Sequence, residues 1–330
     1  MPSRRPPRLA LTLALTLAAG AAAAAEQPFV FLTNWYAEAE HGGFYQAQAE
    51  GLYKQAGLAV TLRMGGPQVN GLQLLAAGQV DCFMGYDVQT MKAHEAGVAA
   101  VTVAAAFQKD PQVMIGHPET FRRLEDLKGK TILISSDTHT NFWPWLRERY
   151  GLSDSQTRPY TFNIQPFIAD RNIVQQGYLS SEPYAIEKMA HFKPTALLLS
   201  DAGWPPYTTT IVCMADTLKK KPAAVAAFVR ASMHGWKDYL EGDPSAANAM
   251  IRKDNPAMGD DELRNGIRLL KETGIVLGGD AAKYGIGIVT DARMKATYEM
   301  MVRMKLLDPA KVKLADTYTT RFVEHLKVMP

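Results

Sequence analysis

The chain has 330 residues, 36 Lys and Arg against 33 Asp and Glu, and two cysteines. Three of the basic residues, Arg4, Arg5 and Arg8, stand before an apolar run. The rest of the chain is electrically balanced, which excludes the basic footprint that nucleic-acid binding needs.

Arg4 to Arg8 read as a basic n-region, Leu9 to Ala18 as an apolar h-region, and the alanines up to Ala25 as cleavage sites. This is the pattern of a secretory signal peptide over residues 1–25. The apolar run is too short to span a bilayer, and no cysteine follows it to carry a lipid. Cleavage near Glu26 is expected to release a protein into the periplasm. About 305 residues remain, enough for two lobes. No second apolar stretch is long enough to span a membrane.

The first strand is expected over Phe29–Leu32, followed by the loop Asn34–His41 and a helix from Gly42 to Glu50. Leu58–Met64 alternates like a strand. Pro67–Ala77 reads as a helix with Pro67 in its first turn. Val80–Gly85 is a strand, and Asp87 stands as N-cap of a helix to Glu95. Val98–Phe107 and Gln112–His117 are strands. A second round of alternation begins at Phe121. Its strands are placed over Thr131–Ser135, Arg158–Asn163, Gly177–Ser181 and Thr195–Leu199. Its helices are placed over Thr138–Tyr150, Phe167–Gln176 and Tyr184–Ala190.

Thr208–Met214 reads as a strand returning to the first lobe. Helices then follow over Pro222–Leu240, Pro244–Lys253, Asp260–Thr273, Ala292–Leu306 and Thr317–Leu326. Strand–helix alternation of this kind predicts an α/β fold. The division expected is 26–117 for the first part of lobe 1, 118–207 for lobe 2, and 208–330 for the return strand and helices packing on lobe 1. A ligand would lie in the cleft between the lobes, closed by a hinge motion. Cys82 and Cys213 each sit in an apolar strand and are read as buried free thiols, because two strand cysteines seldom meet disulfide geometry.

No phosphate loop, dinucleotide fingerprint, zinc motif or nucleophile elbow is present, so the pattern favours binding over catalysis, with no cofactor and no metal. The chemistry gathers at strand-to-helix corners, where helix N-termini face a ligand. In the first lobe these corners carry Trp35, Tyr36, Glu38, Glu40, His41 and the Gly42–Gly43 backbone, then Gly65–Asn70, then Gly85, Tyr86 and Asp87. In the second they carry Ser135–Asn141, with Ser136 and Thr138, and Ser181–Tyr184, with Glu182 and Tyr184. The diglycine would let backbone approach a ligand closely. No Arg or Lys stands at these corners. Aromatic faces and carboxylates without a basic partner suit a flat nitrogen heterocycle better than an anion. Trp35 and Tyr36 are the stacking candidates, Asp87 and Glu182 the hydrogen-bonding ones, and Ser136 and Thr138 the closure contacts. Trp143, Trp145 and Trp204 are assigned to the core.

The block Asn34-Trp35-Tyr36, continuing through Glu40-His41-Gly42-Gly43-Phe44-Tyr45, resembles the opening block of the thiamine-pyrimidine family. That family contains yeast-type pyrimidine synthases and bacterial formylaminopyrimidine-binding proteins of ABC importers. Gly85-Tyr86-Asp87 and Ser181-Glu182-Pro183-Tyr184 are similar to its further blocks. The resemblance implies a two-lobed type II periplasmic-binding-protein fold and a thiamine-precursor aminopyrimidine as ligand. It also implies an ABC transporter permease as partner and action as a monomer. The synthases of the family carry a cysteine-rich motif that two cysteines cannot supply. Sulfonate, taurine, nitrate and riboflavin binders belong to the same wider group.

Overall fold

The computed structural model describes residues 25–330; the expected signal peptide lies outside them save for its last residue. The described residues form ten strands. They are β1 (Gln27–Leu32), β2 (Leu58–Arg63), β3 (Cys82–Gly85), β4 (Ala100–Phe107), β5 (Gln112–Gly116), β6 (Thr131–Ile134), β7 (Thr157–Pro159), β8 (Ile173–Tyr178), β9 (Thr195–Leu198) and β10 (Thr208–Met214). They form two five-stranded sheets, ordered β2-β1-β3-β10-β4 and β7-β6-β8-β5-β9. Each sheet has a parallel half and an antiparallel half. β1 runs parallel to β2 and β3, while β10 runs antiparallel to β3 and β4. β6 runs parallel to β7 and β8, while β5 runs antiparallel to β8 and β9.

This is the two-lobed α/β architecture, with one correction to the division. β5 was expected in the first lobe, yet it hydrogen-bonds β8 and β9 in the second sheet. The first crossing therefore falls between Phe107 and Gln112. The second falls between Leu198 and Thr208, where β10 returns.

Each sheet has its own core. Phe29, Phe31, Phe44, Tyr53 and Phe228 stack within the first. Phe228 comes from helix Pro222–Glu241, whose apolar face lies on helix Gly42–Ala49. Trp143, Trp145 and Trp204 are 1% exposed and belong to the core, as expected. Among the described residues no helix is long and apolar enough to cross a membrane.

Several elements differ from the sequence reading. Helix Asp87–Glu95 is capped by Tyr86, not Asp87. The helix expected from Pro67 begins at Gly71, because Asn70 accepts a hydrogen bond from the Gln73 amide and so supplies the cap. Thr138–Tyr150 splits into a 3-10 turn (Asp137–Thr140) and a helix (Phe142–Tyr150). Phe167–Gln176 is not one helix. Helix Gln165–Ala169 ends early, and β8 takes Ile173–Tyr178. The two glutamines of β8 hide the strand. Buried on a sheet face, Gln176 is held because its Oε1 accepts from the Ser135 amide (2.6 Å) and the Thr138 hydroxyl (2.7 Å). The expected last helix, Thr317–Leu326, is absent. Its start is drawn to the edge of the first sheet, where Thr102 donates to the Thr317 carbonyl (3.0 Å) and accepts from the Thr319 amide (2.9 Å).

Cys82 and Cys213 are not free thiols; they form a disulfide. β10 returns antiparallel to β3 and sets Cys213 directly opposite Cys82, with Cα atoms 4.3 Å apart. That is the close spacing of a non-hydrogen-bonded antiparallel pair. The bridge closes a span of 131 residues that contains the whole second sheet.

Candidate functional site

The loop after β1 is held from three sides. The Thr33 hydroxyl donates to the Trp35 carbonyl (3.0 Å) and accepts from the Gly65 amide (3.1 Å). His41 is buried, and its Nδ1 accepts from the Glu38 amide (3.3 Å). This acceptor role leaves Nε2 as the protonated nitrogen, donating to Asn34 Oδ1 (3.3 Å). Burial pushes the His41 pKa down to about 3, so the ring is a neutral brace of the loop. Asn255, between two C-terminal helices, donates to the Ala37 carbonyl (2.9 Å).

This bracing points Trp35 and Glu38 into a small cavity between the lobes, about 30 Å³ in volume. Trp35 stacks on Tyr160 of the second lobe, with centroids 5.9 Å apart and planes 17° apart. Phe162 meets the edges of both Trp35 and Tyr36. It holds a left-handed backbone (φ 67°), a conformation that costs on the order of 1–3 kcal/mol in a non-glycine residue. Tyr86 and Tyr178 face each other across the cavity, their hydroxyls 3.1 Å apart. Ser135, Asp137, Thr138 and Asn141 supply the polar wall from the second lobe.

Carboxylates dominate the electrostatics. Glu38, Glu40 and Glu182 are 3%, 1% and 5% exposed. Burial, then the neighbouring Glu40 and Glu182, hold the Glu38 pKa well above the usual carboxylate range. Burial likewise raises that of Glu40, and it pushes Glu182 up to about 7. Asp137 is pushed up to about 6 by burial. The donors facing these groups are neutral. Glu182 accepts from the Tyr178 amide (2.8 Å) and the Tyr160 hydroxyl (3.1 Å). Glu38 accepts from the Ser181 hydroxyl (3.1 Å), and Glu40 from that of Ser180. No Arg or Lys lines the cavity among the described residues, and Arg171 is exposed. No cluster of His, Cys, Asp or Glu among the described residues is arranged to hold a metal.

Several of these contacts also hold the lobes together. Ser180 and Ser181 meet Glu40 and Glu38 from the opposite lobe. Gln89 donates to Asp137 (2.7 Å), and the Ser136 amide to the Pro67 carbonyl (3.0 Å).

Of the residues singled out in the sequence, Trp35, Glu38, Tyr86, Thr138 and Glu182 line the cavity, with Ser135, Asp137 and Asn141 of the same corner as Thr138. Tyr36, Asp87, Ser136 and Tyr184 do not. Tyr36 lies against Phe162 and Gly66. Asp87 is turned inward; its carboxylate accepts from the Val88 (2.7 Å) and Tyr207 (3.2 Å) amides and ties down the chain entering β10. Ser136 makes a lobe-to-lobe backbone contact. Tyr184 donates to Asp261 (3.0 Å) on helix Asp260–Glu272.

Gly42 and Gly43 do not face a ligand. A Cβ on Gly42 would fall 1.9 Å from the Tyr239 ring, and one on Gly43 2.2 Å from the Trp236 ring. The diglycine exists to let two helices pack closely. A Cβ on Gly85 would press on Phe83 and Gln89. The Gly65–Asn70 corner is a backbone support. Sequence reading missed Tyr160, Gln176 and Tyr178. Tyr160 follows β7 and Tyr178 ends β8, two strands whose ends were misplaced, and correct ends would have put both at carboxyl-end corners.

Two sheets crossed twice by the chain, with a cavity at the junction, define the periplasmic-binding-protein fold, of the two-lobed type II form. The chain belongs to the NMT1/THI5-like family, whose model matches residues 38–247. No curated protein matches the sequence at significance. Solved structures of similar fold include the alkanesulfonate-binding protein SsuA from Xanthomonas axonopodis pv. citri bound to MOPS. It is 14% identical with TM-score 0.63, over 88% of this chain and 98% of that one. The periplasmic nitrate-binding protein NrtA from Synechocystis PCC 6803 is 10% identical with TM-score 0.63, over 91% and 88%. The ligand-binding component of an ABC-type import system from Staphylococcus aureus, with zinc bound, is 12% identical with TM-score 0.64, over 91% and 99%. At these identities the likeness concerns the fold alone.

Proposed function

We propose that the protein is the exported, monomeric solute-binding component of an ABC importer. Its ligand is a small amino-bearing nitrogen heterocycle, with a thiamine-precursor aminopyrimidine as first choice. The observation that carries this reading is the buried cluster of Glu38, Glu40 and Glu182 beside the Trp35–Tyr160 stack, with no basic side chain lining the cavity. Buried carboxylates without a cation invite one. An amino group next to a basic ring nitrogen supplies two donors and a positive charge, and the indole and phenol faces bind its flat ring. A sulfonate or nitrate would find no cation there, and like charge from any of these acids that ionises. The fold family supports a transport role, and the disulfide suits an oxidising compartment such as the periplasm. The enzyme alternative, a pyrimidine synthase, is disfavoured because both cysteines are joined and none is left for a cysteine-rich motif.

Calorimetry with hydroxymethyl-aminopyrimidine, formylaminopyrimidine, taurine and nitrate tests the reading. Binding of either pyrimidine and not of the anions is expected. Tight binding of an anion would overturn it.

A further inference from the structure

A second chamber lies on the far side of the carboxylates. Its volume is about 200 Å³, against about 30 Å³ for the inner cavity. Glu38 and Glu182 line both spaces, so the carboxylates form a neck between them. Most of the outer wall is apolar, from Phe162, Ile164, Ala185, Met189 and Met258, with Glu40 beside the neck and Glu262, paired with Lys188, at its edge. Met189 is 52% exposed and stands at the solvent side. An apolar cavity of roughly 150 Å³ suffices to hold benzene. The outer chamber therefore has room for a ring, while the inner one, with its aromatic pair in contact, has room for about one water.

We propose that this chamber is a second subsite of the same binding site. It takes an apolar, ring-sized substituent whose linker carries a positive charge through the neck. The inference rests on reading the inner cavity as the site of the amino-bearing ring. A ring that parts Trp35 from Tyr160 lies beside Phe162, which touches Trp35 and also lines the outer chamber. A substituent leaving that ring toward Phe162 passes Glu38 and Glu182. The donors these two carboxylates receive there are hydroxyls and one amide, all uncharged, so a cation in the linker would meet two acceptors with no competing cation. Beyond them the apolar wall favours a hydrocarbon ring.

Three probes separate the parts: 4-aminopyrimidine, its benzylaminomethyl derivative, which is cationic at the linker, and its benzyloxymethyl derivative, which is not. Their dissociation constants are measured by calorimetry on the full mature chain. The benzylaminomethyl compound should bind at least tenfold tighter than the parent, with the ether between them. Ala185→Phe, which fills the chamber, should abolish that gain and leave parent affinity unchanged. Should that variant fail to fold, Ile164→Ala should reduce the gain at least fivefold. Binding of the parent with no gain from the benzylaminomethyl group would overturn the second subsite and leave the inner site standing. A gain that survives both substitutions would also overturn it. Failure of all three probes to bind would refute the inner site itself.

Discussion

At the scale of single residues, the proposed site holds carboxylates that differ in how far the protein already satisfies them. Both oxygens of Glu182 accept protein donors, from the Tyr178 amide and the Tyr160 hydroxyl. Glu38 accepts from the Ser181 hydroxyl alone among the described residues and keeps acceptor capacity for a ligand. Glu38→Gln should therefore weaken an aminopyrimidine roughly ten- to a hundredfold, because the carboxyl can pass its proton to the basic ring nitrogen and the amide cannot, and hydrogen bonds to charged groups contribute about 1.5–3 kcal/mol. A des-amino analogue should change little. Calorimetry on both ligands checks this, and equal losses would make Glu38 a support of the loop. Gly43 carries the opposite kind of expectation. Gly43→Ala sets a Cβ 2.2 Å from the Trp236 ring, and overpacking of this kind costs about 1–3 kcal/mol or more. Urea unfolding should show that loss, while any ligand bound by the folded fraction keeps its affinity.

At the scale of elements, the pairing of β3 with β10 joins the two ends of the excursion into the second lobe. The disulfide between Cys82 and Cys213 fixes that pairing. Cross-linking a loop of this length restricts the unfolded chain, and such bridges stabilise by about 2–5 kcal/mol. The double variant Cys82→Ser, Cys213→Ser should lose a comparable amount in denaturant unfolding. Its native fold should persist, because Phe83, Met84, Ile211 and Val212 in the same strands remain buried. An unchanged midpoint would mean that the bridge adds nothing to the ladder around it.

At the scale of the whole molecule, the buried acids link pH to lobe closure. Glu40 meets Ser180 and Glu38 meets Ser181 across the interface. Acids with folded pKa values raised above their unfolded values stabilise the compact state at low pH. That stability is lost as pH rises through the folded values. The window for Glu182 runs from its unfolded value, about 4.5, to about 7, and that of Glu38 reaches higher. His41 acts in the other direction. Its pKa is lowered to about 3, so its contribution is complete above the unfolded value of 6.5 and lost below it. Above pH 6.5 the acids alone decide the sign. The Tm of the ligand-free protein should fall between pH 6.5 and 8, and small-angle scattering should show the lobes parting. In Glu38→Gln the fall should be shallower but still present, because burial also pushes Asp87, and Asp110 beneath the Trp204 indole, up to about 7. A Tm that rises over this range would refute the account.

Hydrophobic periodicity, glycine stops and cap residues are local. From them the sequence by itself determined the alternation of strands and helices, the return strand Thr208–Met214, the aromatic and acidic corner at Trp35–Glu40, and the lack of basic residues around it. What only the tertiary structure decided is which of these residues meet. Phe167–Gln176 could not be divided by local pattern, because Gln176 becomes a strand residue only when Ser135 and Thr138 donate to its side-chain oxygen. Asp87 stands at the right corner, but the incoming Tyr207 amide turns its carboxylate away from the cavity. The Gly42–Gly43 pair looks like a ligand contact until Trp236 and Tyr239, nearly two hundred residues later, occupy the space that a Cβ would need. Cys82 and Cys213 became partners through the register of β10 on β3. Tyr160 joined Trp35 because the lobes close on each other. Each of these outcomes depends on contacts between residues distant in the chain, and such contacts leave no periodic mark on the local sequence.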